Sequence, residues 1–112
     1  MENTEIEKSK VFIIAESIEY EPNAVVIKAI IKKTTGNVTA VSFDSGEDLN
    51  AKISPFDTFI QIIEGRAEIV IDDNSQTLDT GQSIIIPAHS KNTVKANERF
   101  KMISTIIKSG YE

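Results

Sequence analysis

The chain has no cysteine and no tryptophan, one histidine, three prolines and five glycines in 112 residues. Each scarcity removes a class of protein. Without cysteine there is no disulfide framework, no thiolate metal ligand and no cysteine nucleophile. The missing tryptophan and cysteine together disfavour an immunoglobulin-like sandwich, which is built around both. No apolar run approaches the roughly 20 residues that span a bilayer, so no membrane segment is expected. Clustered positive charge is missing too. The ten lysines and two arginines are scattered, with no run longer than Lys32-Lys33, and the net charge is −5. Nucleic-acid binding rests on a concentrated basic surface that displaces counterions, and none is visible. The start, Met1 to Lys8, is acidic and lacks the apolar core of a secretory leader, which makes a cytoplasmic location the expectation.

What is present is ordinary for a globular protein: 40% hydrophobic and 26% charged residues. The length suits one domain with its own core. In order, Val11 to Ala15 is a short β-branched and aromatic run, read as a strand. Pro22-Asn23 marks a turn. Ala24 to Lys33 carries Val25, Val26, Ile27, Ile30 and Ile31. Periodicity allows a helix there, but β-branched side chains lose rotamer freedom in helices, so a strand is preferred. Thr34-Thr35-Gly36-Asn37 is a hairpin-type turn, and Val38 to Phe43 alternates with Thr39, Val41 and Phe43 on one face. Leu49 to Ile53 leads into Ser54-Pro55-Phe56-Asp57. Strands are then expected at Thr58 to Glu64 and Arg66 to Asp72, with Gly65 as the turn between them. Asp73-Asn74 is a tight turn, followed by strands at Ser75 to Leu78, Ser83 to Ile86, Asn92 to Ala96 and Arg99 to Lys108. No stretch combines a helical start, period and stop. Short strands at this spacing argue an all-β sandwich or barrel.

Two motifs choose between those. The first reads Gly46, five residues, Lys52, one residue, Ser54, three residues, Thr58, six residues, Gly65. The second reads Gly81, five residues, Pro87, one residue, His89, two residues, Asn92, three residues, Ala96. This frame resembles the two signature motifs of the cupin family, with fifteen residues between Gly65 and Gly81, the short separation of compact one-domain cupins. A closer similarity is to small cupins carrying Ser-Pro-Phe-Asp before a Glu-Gly pair and Glu-Arg-Phe-Lys-Met near the end, here Ser54 to Asp57, Glu64-Gly65 and Glu98 to Met102. The resemblance implies a cupin-like double-stranded β-helix, or jelly-roll barrel, within one domain over residues 1–112. The motif-bearing barrel would lie at about 38–108, with N-terminal strands at 10–33. A jelly roll closes its sheets around an interior that side chains or a ligand fill.

The resemblance also locates a site. The family places three metal ligands of motif one at the positions of Lys52, Ser54 and Thr58, and a fourth at that of Asn92. Here a protonated lysine repels a metal, two neutral hydroxyls are poor ligands for Fe, Mn, Ni or Zn, and one amide offers a single carbonyl. No metal and no cofactor is therefore expected. Lys52 is read as a solvated lysine at the barrel mouth or as a positive charge that replaces the metal's and pairs with an anionic ligand. His89 stands where the family has glycine, and Asp57 stands one residue before the usual glutamate. They are read as a rim residue and a turn carboxylate, or as displaced ligands.

Three functions stay open. The first is a metal-free barrel binding a small organic molecule or anion, with Lys52, Ser54, Thr58, Asn92, Asp57 and His89 as pocket candidates. The second is a metal-dependent dioxygenase or isomerase using His89, Asp57 and Asn92. The third is a non-catalytic interaction module whose barrel is plugged by Phe43, Ile60, Ile62 and Met102. A homodimer is expected as well. Ala24 to Ile31 and Thr58 to Ile63 are apolar on both alternating faces and need cover on both, and the resemblance implies packing of sheets and pairing of N-terminal strands across a two-fold axis. In the competing reading, residues 1–23 fold back over the outer face within one chain.

Overall fold

The computed structural model describes residues 6–51 and 53–110. Eight strands follow one another: β1 Val25–Lys33, β2 Gly36–Phe43, β3 Asp48–Ala51, β4 Thr58–Ile71, β5 Asn74–Asp79, β6 Ser83–Ile86, β7 Asn92–Lys95 and β8 Phe100–Ile107. Every pairing is antiparallel. The order is β1-β2-β8-β4-β7-β3, with β5 and β6 also paired to β4. The all-β barrel expectation holds. Among the described residues no helix is long and apolar enough to cross a membrane.

Strand β4 organises the fold. Its first half pairs with β6 and β8, and its second half with β5 and β7. Gly65 is therefore not the hairpin turn expected between two strands. It lies inside one strand of 14 residues, at φ +90°, just past a register shift between Ile62 and Glu64. Glycine permits that left-handed value without a Cβ clash, and the strand bends from one sheet into the other instead of reversing.

Two more expectations are corrected. The run Val11 to Ala15 forms no strand; it passes into a single 3-10 turn, Ile14–Glu16, with the Ser17 hydroxyl donating to the Ile14 carbonyl at 2.7 Å. Strand propensity in a short segment is decided by the neighbours it meets; here Ile14 packs against the outer cluster while Val11, Phe12 and Ile13 stay exposed, and no ladder forms. The tight turn after β4 is Asp72-Asp73, one residue earlier than expected, since Asn74 already pairs with Ile71. Both aspartates have positive φ, 46° and 70°, the pair of values a two-residue type I′ hairpin requires.

The core has two parts. Inside the barrel, Phe43 and Phe100 stack with ring centroids 4.4 Å apart, packed with Ile62, Ile69 and their neighbours. Outside it, Ile18 is buried against Ile30 and Ala40, with Ile6, Ile14 and Val26 around them. The segment before β1 thus folds back as a strap over the outer face of β1 and β2. Polar bonds fasten it: Ser42 Oγ donates to the Glu19 carbonyl at 2.8 Å, Lys28 Nζ to Ser17 at 3.0 Å and the buried Lys101 Nζ to Ala15 at 2.5 Å.

Candidate functional site

Alternation along each strand sends every second side chain inward. On β8 these are Phe100, Met102, Ser104 and Ile106. On β4 they are Thr58, Ile60 and Ile62, and on β7 Asn92 and Val94. The two stacked phenylalanines and Ile62, all fully buried, fill one end of the barrel. Toward the other end the inward residues become smaller or polar, and a cavity of about 350 Å³ opens. Its apolar floor and walls are Leu49, Ile60, Ile86, Val94, Met102 and Ile106. Its polar lining is Asn37, Ser54, Thr58, Asn92, Ser104 and Lys108. Ile60 and Met102, expected as parts of a plug, are buried floor residues of this cavity.

Two loops form part of its margin and are tied to each other. Between β3 and β4, the Ser54 carbonyl accepts from the His89 backbone N–H at 2.6 Å, while Ser54 Oγ accepts from the Phe56 N–H at 3.1 Å. Asp57 Oδ1 accepts from the Ala88 N–H at 2.8 Å. In the loop after Pro87, the Ser90 hydroxyl donates back to the Pro87 carbonyl at 2.6 Å. His89 adopts φ +68°, a left-handed conformation in which histidine is tolerated better than branched residues. That explains how this position, a glycine in the signature it resembles, accepts a side chain.

Of the six candidate residues, Ser54, Thr58 and Asn92 line the cavity. Asp57 and His89 do not: the carboxylate holds the loop at Ala88, and the imidazole is exposed. Lys52 lies outside the described residues. Asn37, Ser104 and Lys108 were not singled out from the sequence. For Ser104 and Lys108 the signal was there in the two-residue alternation, which carries the inward face of β8 from Met102 through Ser104 and Ile106 to Lys108; for Asn37 it was the alternation of β2 that puts it on the face of Thr39, Val41 and Phe43. Thr58, Asn92 and Ser104 contribute two hydroxyls and an amide to the cavity lining.

The metal that the signature motifs imply does not fit these donors. Ser54 and Thr58 bring neutral hydroxyls and Asn92 an amide, none of which matches the imidazole and carboxylate preference of a tight transition-metal site. Of the displaced set His89, Asp57 and Asn92, only Asn92 reaches the cavity. No group of three or more His, Cys, Asp or Glu side chains among the described residues is placed to hold a metal.

Charge near the cavity is sparse. The perturbed acids lie elsewhere: Asp44, beside the loop that enters β3, is held down to about 2, first by the hydrogen bond from Arg99 and then by backbone donors. A more open depression of about 330 Å³ lies against Asn50, Val70, Asp72 and Lys91. There Asp72 Oδ1 accepts from the Lys91 N–H at 2.9 Å, a bond that closes a loop.

The sequence matches no protein-family model and no curated protein. Solved structures do match. A conserved protein of unknown function from Streptococcus pyogenes is similar over 96% of this chain and 94% of its own, at 27% identity and a TM-score of 0.89. A cupin superfamily protein from Desulfitobacterium hafniense matches over 97% and 100%, at 24% identity and a TM-score of 0.87. A cupin 2 conserved barrel domain protein from Leptotrichia buccalis matches at 28% identity and a TM-score of 0.83 over 87% of this chain, which spans 47% of that protein. With the glycines of both motifs at left-handed φ, the strands in this order and these likenesses over nearly the whole length, the chain has the double-stranded β-helix fold of the cupins.

Proposed function

We propose that this chain binds a small organic molecule in the mouth of its barrel, without a transition metal. One observation carries the reading: a cavity of about 350 Å³ with an apolar floor and a polar rim. That combination orients a ligand by a few polar groups while burying its body, and the volume falls at the lower end of the roughly 300–1,000 Å³ usual for such sites. The Ser54, Thr58 and Asn92 side chains at the former ligand positions supply hydrogen bonds in place of coordination.

The test is a screen of small neutral and charged compounds followed by methyl NMR. Compounds that bind at the mouth are expected to shift Ile60, Met102 and Ile106 in a saturable way, and Ser104→Phe, which fills the cavity, is expected to abolish the shifts. A screen in which no compound moves these methyls would favour the filled-barrel interaction module, for which the packing of Phe43, Ile62 and Phe100 is the supporting observation.

The same reading includes a homodimer. The strap covers the outer face of β1 and β2, as in the fold-back reading, but it leaves the outer face of β4 and β6 open. Phe59 pairs with Ile85 there, and they are 41% and 62% exposed. Ile27 on β1 and Ile107 on β8 remain exposed as well, and among the described residues β1 has a strand partner on one edge only. A long edge strand beside uncovered apolar side chains needs cover, and a second copy is the commonest provider. Light scattering at micromolar concentration is expected to give twice the chain mass. A stable monomer would overturn this part of the reading.

A further inference from the structure

The cavity has a one-sided charge. Among the described residues its lining includes one cationic side chain, Lys108, and no aspartate or glutamate. This contrasts with the chain as a whole, which carries a net charge of −5. Lys108 is also fixed in position. It follows the last strand, and its backbone N–H donates to the Thr35 carbonyl at 2.7 Å, which keeps the residue at the open end above Ile106 and Ser104. Its side chain forms no ion pair with a described carboxylate. From this rim inward the lining turns apolar through Ile106 and Met102.

We infer that the mouth takes an amphiphilic monocarboxylate: its carboxylate lies against Lys108 with hydroxyl and amide donors beside it, and its hydrocarbon body rests on Met102 and Ile60. This deepens the proposed ligand-binding reading and rests on it. Three classes fit worse. A primary ammonium ion meets Lys108 and, among the described residues, no counter-charge. A phosphate dianion calls for arginine forks or a nest of backbone N–H groups, and no arginine is among the described residues that line the cavity. A fully polar molecule leaves the apolar floor without a partner. The volume, about 350 Å³, equals about a dozen waters at roughly 30 Å³ each, so a short chain or a single ring fits and a long fatty acid does not.

The experiment uses the whole chain and compares hexanoate, hexanamide and hexylamine at constant ionic strength, read by methyl NMR at Ile60, Met102 and Ile106. Hexanoate is expected to bind about fivefold more tightly than hexanamide, the upper range for a carboxylate meeting one exposed cation. Lys108→Gln should erase that difference, and Lys108→Arg should restore it. Lys108 is exposed and beyond the last strand, so both variants are expected to keep the parent spectrum. Equal binding of hexanoate and hexanamide at the mouth would overturn the charge preference and leave the ligand site standing, as would tighter binding of hexylamine. Displacement of hexanoate by inorganic phosphate at equal concentration would show a general anion site and overturn the amphiphile. No saturable shift from any of the three would overturn this inference and count against the ligand site itself.

Discussion

Tyr20 and Glu64 are 44 residues apart in the chain, and the Tyr20 hydroxyl donates to Glu64 Oε2 at 2.6 Å. Glu64 immediately precedes Gly65, where β4 bends from sheet to sheet, and Tyr20 ends the strap. The bond therefore fastens the strap at the bend of the barrel. Cations from the β8 side complete the cluster: Arg99 Cζ and Lys101 Nζ lie 5.1 Å and 4.8 Å from the Tyr20 ring centroid, and Lys101 Nζ stands 3.9 Å from Glu64 Oε2.

Tyr20→Phe keeps the ring beneath the two cations and removes only the donor. The expected cost is about 1 kcal/mol, the usual net worth of a hydrogen bond that is partly open to water, measured by urea denaturation. Burial, and then the bond to Glu64, push the tyrosine hydroxyl well above its ordinary value. A raised value in the folded state means that the neutral phenol stabilises the fold below about pH 10, and that this contribution falls as pH rises further. The parent should lose stability on that alkaline limb, and Tyr20→Phe should lose less.

Asp44 sets the acid limb. Its Oδ1 accepts from Arg99 Nε at 2.8 Å and its Oδ2 from the Asn23 N–H at 2.7 Å, which holds the carboxyl at about 2. A lowered value stabilises the fold above the ordinary carboxylate range, and the effect is lost as pH falls through about 4 toward 2. Melting temperatures taken across that window should fall more steeply for the parent than for Asp44→Asn. Parallel curves would contradict the assignment.

Gly65 and Gly81 have nearly equal φ, +90° and +88°, but different surroundings. A Cβ on Gly65 would stand 2.5 Å from the Arg99 carbonyl oxygen and 3.0 Å from Phe100 Cβ, whereas one on Gly81 would meet nothing within 4 Å. Gly81→Ala should cost about 1–2 kcal/mol from the left-handed backbone alone. Gly65→Ala adds a clash with backbone that cannot yield and should cost about 3 kcal/mol or more. Equal unfolding midpoints for the two variants would refute the distinction.

Protein purified without added metal is expected to carry well under one equivalent of Fe, Mn, Ni or Zn, because Ser54, Thr58 and Asn92 offer no strong donor. A chelator should leave the melting temperature unchanged, since removing a structural metal destabilises a fold. Stoichiometric metal retained through dialysis would contradict the donor argument.

The sequence by itself determined the fold class and most of the strands. Alternation and turn residues are local signals, and Gly65, Gly81 and Pro87 mark positions where backbone geometry restricts the residue. It also placed Ser54, Thr58 and Asn92 around one site through the motif spacing. Tertiary structure decided the rest. A positive φ does not distinguish a reversal from a bend, so Gly65 reads as a hairpin until β8 and β5 are seen pairing with the two halves of one strand. A short β-branched run becomes a strand only where a free edge receives it, and Val11 to Ala15 instead precedes a strap held by Tyr20, Lys28, Ser42 and Lys101. Asp57 and His89 sit beside ligand positions in sequence, but their places were set by loop contacts: Asp57 by the N–H of Ala88, and His89 by the carbonyl of Ser54. Lys108 was on the inward face by alternation, but nothing local tied it to the site. It lies 16 residues beyond Asn92, the last candidate in the motifs, and only the closing of β8 against β2 and β4 brings it to the same mouth.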